Sequence, residues 1–241
     1  MMRSLAVALG FLTRIPVPAG AFEDADARAR SLVWYPLVGA LLGGALVGIA
    51  WLLRDTPVLV RAAVLLTAWV VLTGALHLDG LADSADAWIG GMGDRARTIA
   101  IMKDPAVGPI GVIAIVLVLL LKFSALASLS MPAWPALLLA PLLARAALVA
   151  LFLTTPYVRL GGLGDDLQRA PRKACLIVLV AAMACCVIAR WRGAWMLLAA
   201  GVVFACWRQA CMRRLGGCTG DTAGALVEMI EAAVLVISAV A

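Results

Sequence analysis

The stretch HLDGLADSADAW, His77–Trp88, holds the chain's only histidine and three aspartates, Asp79, Asp83 and Asp86. Long apolar runs lie on both sides of it. An aspartate at the centre of a bilayer costs about 2.5–3.5 kcal/mol on insertion scales. Three together in so apolar a setting therefore need a partner or a purpose. Asp79, Asp83 and Asp86 are spaced i, i+4, i+7, which puts them on one face of a helix. Like charges on one face repel until something neutralises them, and a divalent cation does so. Magnesium takes oxygen ligands and commonly shares carboxylates with substrate phosphates.

The surroundings fix the class of protein. Of 241 residues, 64% are hydrophobic and 14% charged, with mean hydropathy +1.04. A soluble domain carries about 25% charged residues. The composition predicts an all-α polytopic transmembrane helix bundle, organised as one domain over residues 1–241. A span needs about 20 apolar residues. The runs predict seven spans, near Ser31–Leu53, Pro57–Leu76, Ile110–Leu129, Pro132–Thr154, Ala174–Ala189, Gly193–Ala210 and Thr222 to the end. The N-terminal MRSLAVALGFLTRIPVPAGAF is too short to span and is interrupted by Arg14. It reads as an interfacial helix followed by a proline-rich turn rather than a cleaved leader. In the first span, Gly43, Gly44 and Gly48 offer a face for close helix packing, and self-association is one use for it.

Charge gives orientation. Arg3, Arg14, Arg28 and Arg30 precede the first span, and Arg95, Arg97 and Lys103 follow the second. Arg159, Arg169, Arg172 and Lys173 follow the fourth, and Arg208, Arg213 and Arg214 the sixth. The opposite side holds only Arg54, Arg61, Arg190 and Arg192. The positive-inside rule predicts a cytoplasmic N-terminus, with His77–Asp104 and Gly216–Asp221 on the cytoplasmic side. The net charge of +6 is thereby explained by orientation, and no nucleic-acid-binding motif is present. The six cysteines form no C-x-x-C pair and carry no zinc or disulfide pattern.

Beyond the first cluster, the segment IMKDPAVGPIG, Ile101–Gly111, adds Lys103 and Asp104. Acids for a metal and bases for phosphate in one connecting segment suit a nucleotide-handling site. Asp221 and Glu228 lie i, i+7 at the start of the last span, and an acid within a span is a functional candidate facing the protein interior. Lys122 and Arg145 fall inside the third and fourth spans, where they can pair with these acids, reach a phosphate or snorkel. A transporter would instead place its acids near the midplane on broken helices.

FLTRIPVP (Phe11–Pro18), WYPLVGALLG (Trp34–Gly43), HLDGLADSADAW, IMKDPAVGPIG and GDTAGALVE (Gly220–Glu228), in this order, resemble the cobalamin synthase family, the adenosylcobinamide-GDP ribazoletransferases. The resemblance implies a magnesium-dependent enzyme of the bacterial inner membrane with a cytoplasmic site. It would join adenosylcobinamide-GDP to alpha-ribazole or its 5′-phosphate and release GMP. On that reading Asp79, Asp83 and Asp86 hold magnesium, with Asp221 and Glu228 completing the shell. Arg14, Lys103, Lys122 and Arg145 are the candidate phosphate contacts. Asp86 or Asp104 would take the hydroxyl proton, with His77 orienting an aspartate or binding phosphate. The aspartate pattern of the CDP-alcohol phosphotransferases, D-G-x-x-A-R, is not met, since Asp83 and Ser84 stand where alanine and arginine belong.

Overall fold

The computed structural model describes residues 1–129, 134–159 and 163–240. The beginning of the predicted fourth span at Pro132 and the last residue lie outside them. Twelve α-helices run through the described residues: α1 (Met2–Leu12), α2 (Ala25–Ser31), α3 (Tyr35–Leu52), α4 (Val58–Thr73), α5 (Leu76–Gly90), α6 (Arg95–Ile101), α7 (Pro109–Ser128), α8 (Trp134–Thr154), α9 (Leu163–Leu167), α10 (Arg172–Cys185), α11 (Arg190–Leu215) and α12 (Gly220–Val240). The only extended pairing among them is an isolated bridge between Tyr157 and Cys218.

By length and composition, five helical stretches are long and apolar enough to cross a membrane, and six if α4 with α5 counts as one broken span. One of the five, Arg172–Leu215, covers 44 residues and turns back on itself. At about 1.5 Å per residue a straight run from Arg172 to Arg208 would measure roughly 54 Å. Yet Gln168, just before α10, donates to the Thr155 carbonyl, and Arg208 near the end of α11 donates to that of Thr154. The chain reverses through a short 3-10 turn, Cys186–Ala189, and Arg190 with φ +55°. Counting α10 and α11 as separate passes, with α3, α4, α7, α8 and α12, gives the seven expected from the sequence.

The centre of the bundle is α8, with α3 and α12 against it. Small residues decide the closeness of the first contact. A Cβ on Gly43 would stand 2.7 Å from the Leu138 Cα, and one on Gly39 would collide with the Pro141 carbonyl. Gly44 and Gly48, by contrast, have open space beside them. The close-packing face of α3 is therefore Gly39 with Gly43, not the predicted Gly43, Gly44 and Gly48, and it is used within the chain.

The segment His77–Trp88 does not continue the span before it. Gly74 and Ala75 both take left-handed backbone, φ +63° and +59°, and α5 leaves α4 at 87°. It lies across one end of the bundle. Its apolar face, with Leu78, Leu81, Ala82 and Ala87, is buried. At its far end Trp88 stacks on Trp207 of α11 with centroids 5.0 Å apart. Arg214 donates to the Trp88 carbonyl at 2.5 Å.

Candidate active site

Four helix ends and one loop meet where α5 crosses the bundle. Gly80 of α5 sits on the first turn of α12, so close that a Cβ there would lie 2.7 Å from the Asp221 carbonyl oxygen. Gly224 of α12 in turn accommodates the His77 backbone. This contact sets Asp79 and Asp83 beside Asp221. The loop after α8 is drawn over them by two strand-like bonds, Val158 N–H to the Cys218 carbonyl at 2.9 Å and Cys218 N–H to the Pro156 carbonyl at 2.8 Å. It brings Arg159 within 3.2 Å of an Asp221 carboxylate oxygen.

A cleft of about 370 Å³ runs inward from this point. Asp79, Asp221, Arg159, His77 and Tyr157 line it together with Phe11, Tyr35, Leu148 and Phe152. Lys103 reaches the same place from the other side, sharing a small recess with Arg159 and Asp221. Asp83 is half-buried next to Asp79 and Asp221. Burial, then the charges of Asp79, Asp221 and Asp86, push its carboxyl up from 3.8 to about 6. Hard oxygen donors in mutual repulsion are a donor set that a divalent cation relieves. Among the described residues no three His, Cys, Asp or Glu side chains already close around an ion position. A cation at Asp79, Asp83 and Asp221 would therefore share its coordination with substrate oxygens and water.

Other predicted site residues are placed differently. Asp86 spends both carboxylate oxygens on the start of α7, accepting from the Gly108 N–H at 2.7 Å and the Gly111 N–H at 2.9 Å. Neither α7 nor its Gly108 N-cap supplies a capping side chain, and Asp86 does so from α5. Asp104 accepts from the Ala106 N–H within its own turn and does not line the cleft. Arg14 is exposed and lies over the Gly74 hinge.

Lys122, Arg145 and Glu228 sit deeper, in a buried ionic network. Lys122 is 2.6 Å from Glu228 and 2.5 Å from Glu231, and Arg145 pairs with Glu231. All four side chains are no more than 5% exposed. Carboxylates thus occupy the two cations expected at phosphate, and Lys122 occupies the Glu228 expected at metal. The network ties α7, α8 and α12 together below the site. His77 borders it. Burial first, and then the Arg145 charge, lower its pKa to about 3, so the imidazole is neutral and its Nε2 has no partner.

Arg159 and Tyr157 escaped the sequence reading. In YVRL the arginine counted only as one more cytoplasmic charge, and its approach to Asp221 depends on a loop pairing that no local pattern encodes.

The profile of cobalamin-5-phosphate synthase matches residues 4–239. The chain belongs to that family. It is 54% identical over 234 residues to the adenosylcobinamide-GDP ribazoletransferase of Pseudomonas syringae pv. syringae, covering 95% of this chain and 96% of the relative. It is also 54% identical over 237 residues to the adenosylcobinamide-GDP ribazoletransferase of Stutzerimonas stutzeri, covering 98% and 97%. No solved structure matches the chain. Family membership accounts for the five ordered sequence elements, four of which meet around the cleft: Phe11, Tyr35 beside Trp34, the α5 aspartates and Asp221. The fifth, Ile101–Gly111, supplies Lys103 and the capped start of α7.

Proposed function

We infer that the chain is an adenosylcobinamide-GDP ribazoletransferase, joining GDP-activated adenosylcobinamide to alpha-ribazole or its 5′-phosphate late in cobalamin assembly. The observation that carries this reading is the meeting of Asp79, Asp221 and Arg159 on one cleft, with Asp83 beside the two aspartates and Lys103 in an adjoining recess that shares Arg159 and Asp221. Near full-length identity to enzymes of that name supports it. Asp79, Asp83 and Asp221 would hold magnesium, which when bound neutralises phosphate charge and favours departure of the leaving group. Arg159 and Lys103 bind the non-bridging oxygens of the pyrophosphate. A secondary ribose hydroxyl of ribazole, free in both the nucleoside and its 5′-phosphate, bonds through its oxygen to the phosphorus that carries cobinamide, the bond to the bridging oxygen breaks, and GMP leaves. The hydroxyl proton passes to a carboxylate oxygen of the cluster that the metal leaves free. The basic loops at this end orient the site to the cytoplasmic face of the bacterial inner membrane.

The test is product formation by purified protein in detergent. With adenosylcobinamide-GDP, alpha-ribazole and magnesium, the expected result is a cobalamin and equimolar GMP, abolished by EDTA and restored by excess magnesium. Folded protein in lipid that yields no product, with either ribazole form, would contradict the reading. A transport role would require a vesicle gradient, which this assay lacks.

A further inference from the structure

The cleft has two chemically different ends. Carboxylates and Arg159 hold the mouth. The inner part is aromatic and aliphatic: Phe11 stacks with Tyr35, centroids 6.4 Å apart at 23°, and Phe152 faces Tyr157 at 6.1 Å and 37°. Leu148 adds to this apolar wall. The proposed reaction brings three bulky groups to the site: a corrinoid, a guanine nucleotide and the ribazole nucleoside. A space of about 370 Å³ lies at the small end of ligand cavities, roughly 300–1,000 Å³, and takes one planar base with its sugar but no corrin ring.

The choice between the two bases rests on polarity. Guanine carries several donors and acceptors on its edge, and each one buried without a partner is costly. Beyond the Tyr35 and Tyr157 hydroxyls, the inner wall of Phe11, Leu148 and Phe152 is hydrocarbon. His77 borders the cleft, but its Nε2 is buried away from it. A benzimidazole riboside has a single free ring nitrogen and otherwise needs only apolar and stacking contact, which offset-stacked aromatic rings provide. We propose that the aromatic inner cleft is the seat of the ribazole base, with a secondary ribose hydroxyl, free in both ribazole forms, directed at the carboxylate mouth. The corrinoid and the guanosine then stay outside, on the open side of Asp79 and Asp221. The proposal rests on the transferase reading above and adds which substrate enters the cleft.

Steady-state rates, with each substrate varied in turn, test it in Leu148→Phe, which narrows the inner cleft, and Phe152→Ala, which removes one aromatic face of it. Both should raise KM for alpha-ribazole at least tenfold and leave KM for adenosylcobinamide-GDP within twofold. In the wild-type enzyme, 2′,3′-dideoxy-alpha-ribazole, which lacks the secondary hydroxyls and cannot react, should inhibit competitively against ribazole only. That measurement needs no variant to fold. A shift confined to adenosylcobinamide-GDP, no shift in either constant, or competition with adenosylcobinamide-GDP would overturn the proposal while leaving the transferase intact. A wild-type enzyme that forms no cobalamin would remove both.

Discussion

Two aspartates three residues apart on α5 have different work, and substitution separates them. Asp83 belongs to the mouth of the cleft, and either a ligand or a proton acceptor there must be ionised. Activity at limiting magnesium should therefore rise with pH through about 6, and rising magnesium should move the midpoint down. A flat profile between pH 5 and 8 would exclude the role. Stability has the opposite sign. The folded pKa is raised above 3.8, so the contribution of the protonated form is full below about 4 and is lost as pH rises through about 6. Asp83→Asn should accordingly unfold no more easily at pH 8 than the wild type, yet lose about 100-fold or more in kcat, the scale of one lost transition-state charge contact. Asp86→Ala should instead lower stability by about 0.5–2 kcal/mol, as loss of a helix cap does, visible as a lower midpoint of thermal unfolding in detergent. The sequence showed both as members of one acidic face. Only the approach of the α7 N-terminus, 22 residues along the chain, distinguishes them.

Among the elements, close packing and one buried ionic network hold the site together. Gly43→Val should disrupt the α3–α8 contact, because Leu138 backbone already stands where the new carbon would go. Overpacking of this kind costs about 1–3 kcal/mol. Gly44→Val, facing open space, should have little effect, and comparing the yield of folded protein for the two checks the assignment. Glu231→Gln should cost about 3–5 kcal/mol, the range for breaking a buried ion pair from one side, since Lys122 and Arg145 would then share Glu228 alone. Equal thermal midpoints for this variant and the wild type would show that the network does not bear on stability. The spans were legible in the sequence because apolar length is a strong signal. The pairing of Lys122 with Glu228 and Glu231 was legible only as an option. Residues 106 and 109 apart meet through helix packing that periodicity does not specify. The 87° turn at Gly74–Ala75 was hidden for a related reason. A polar segment after a span reads as a loop, whereas the structure makes it a helix whose buried face has a tertiary partner.

For the whole molecule, the sequence and the structure agree on the layout that matters. The start of α3, the end of α4, the start of α7, the end of α8 and the start of α12 lie at one end, and the basic loops lie there too. An epitope at the C-terminus should be reached by antibody in intact spheroplasts, and one placed after Lys103 only once the membrane is permeabilised. Equal access to both would contradict the seven-pass orientation. That geometry leaves the central claim to the carboxylates where α5 meets α12. The most direct measurement is Mn²⁺ binding followed by electron paramagnetic resonance, in protein saturated with adenosylcobinamide-GDP and without ribazole. The account predicts a bound-ion signal in the wild type that weakens at least tenfold in affinity in Asp79→Asn and in Asp221→Asn, while Asp104→Asn and Glu228→Gln, if folded, bind as the wild type does. Unchanged affinity in Asp79→Asn and Asp221→Asn, or loss confined to Asp104→Asn or Glu228→Gln, would place the cation elsewhere and contradict the site described.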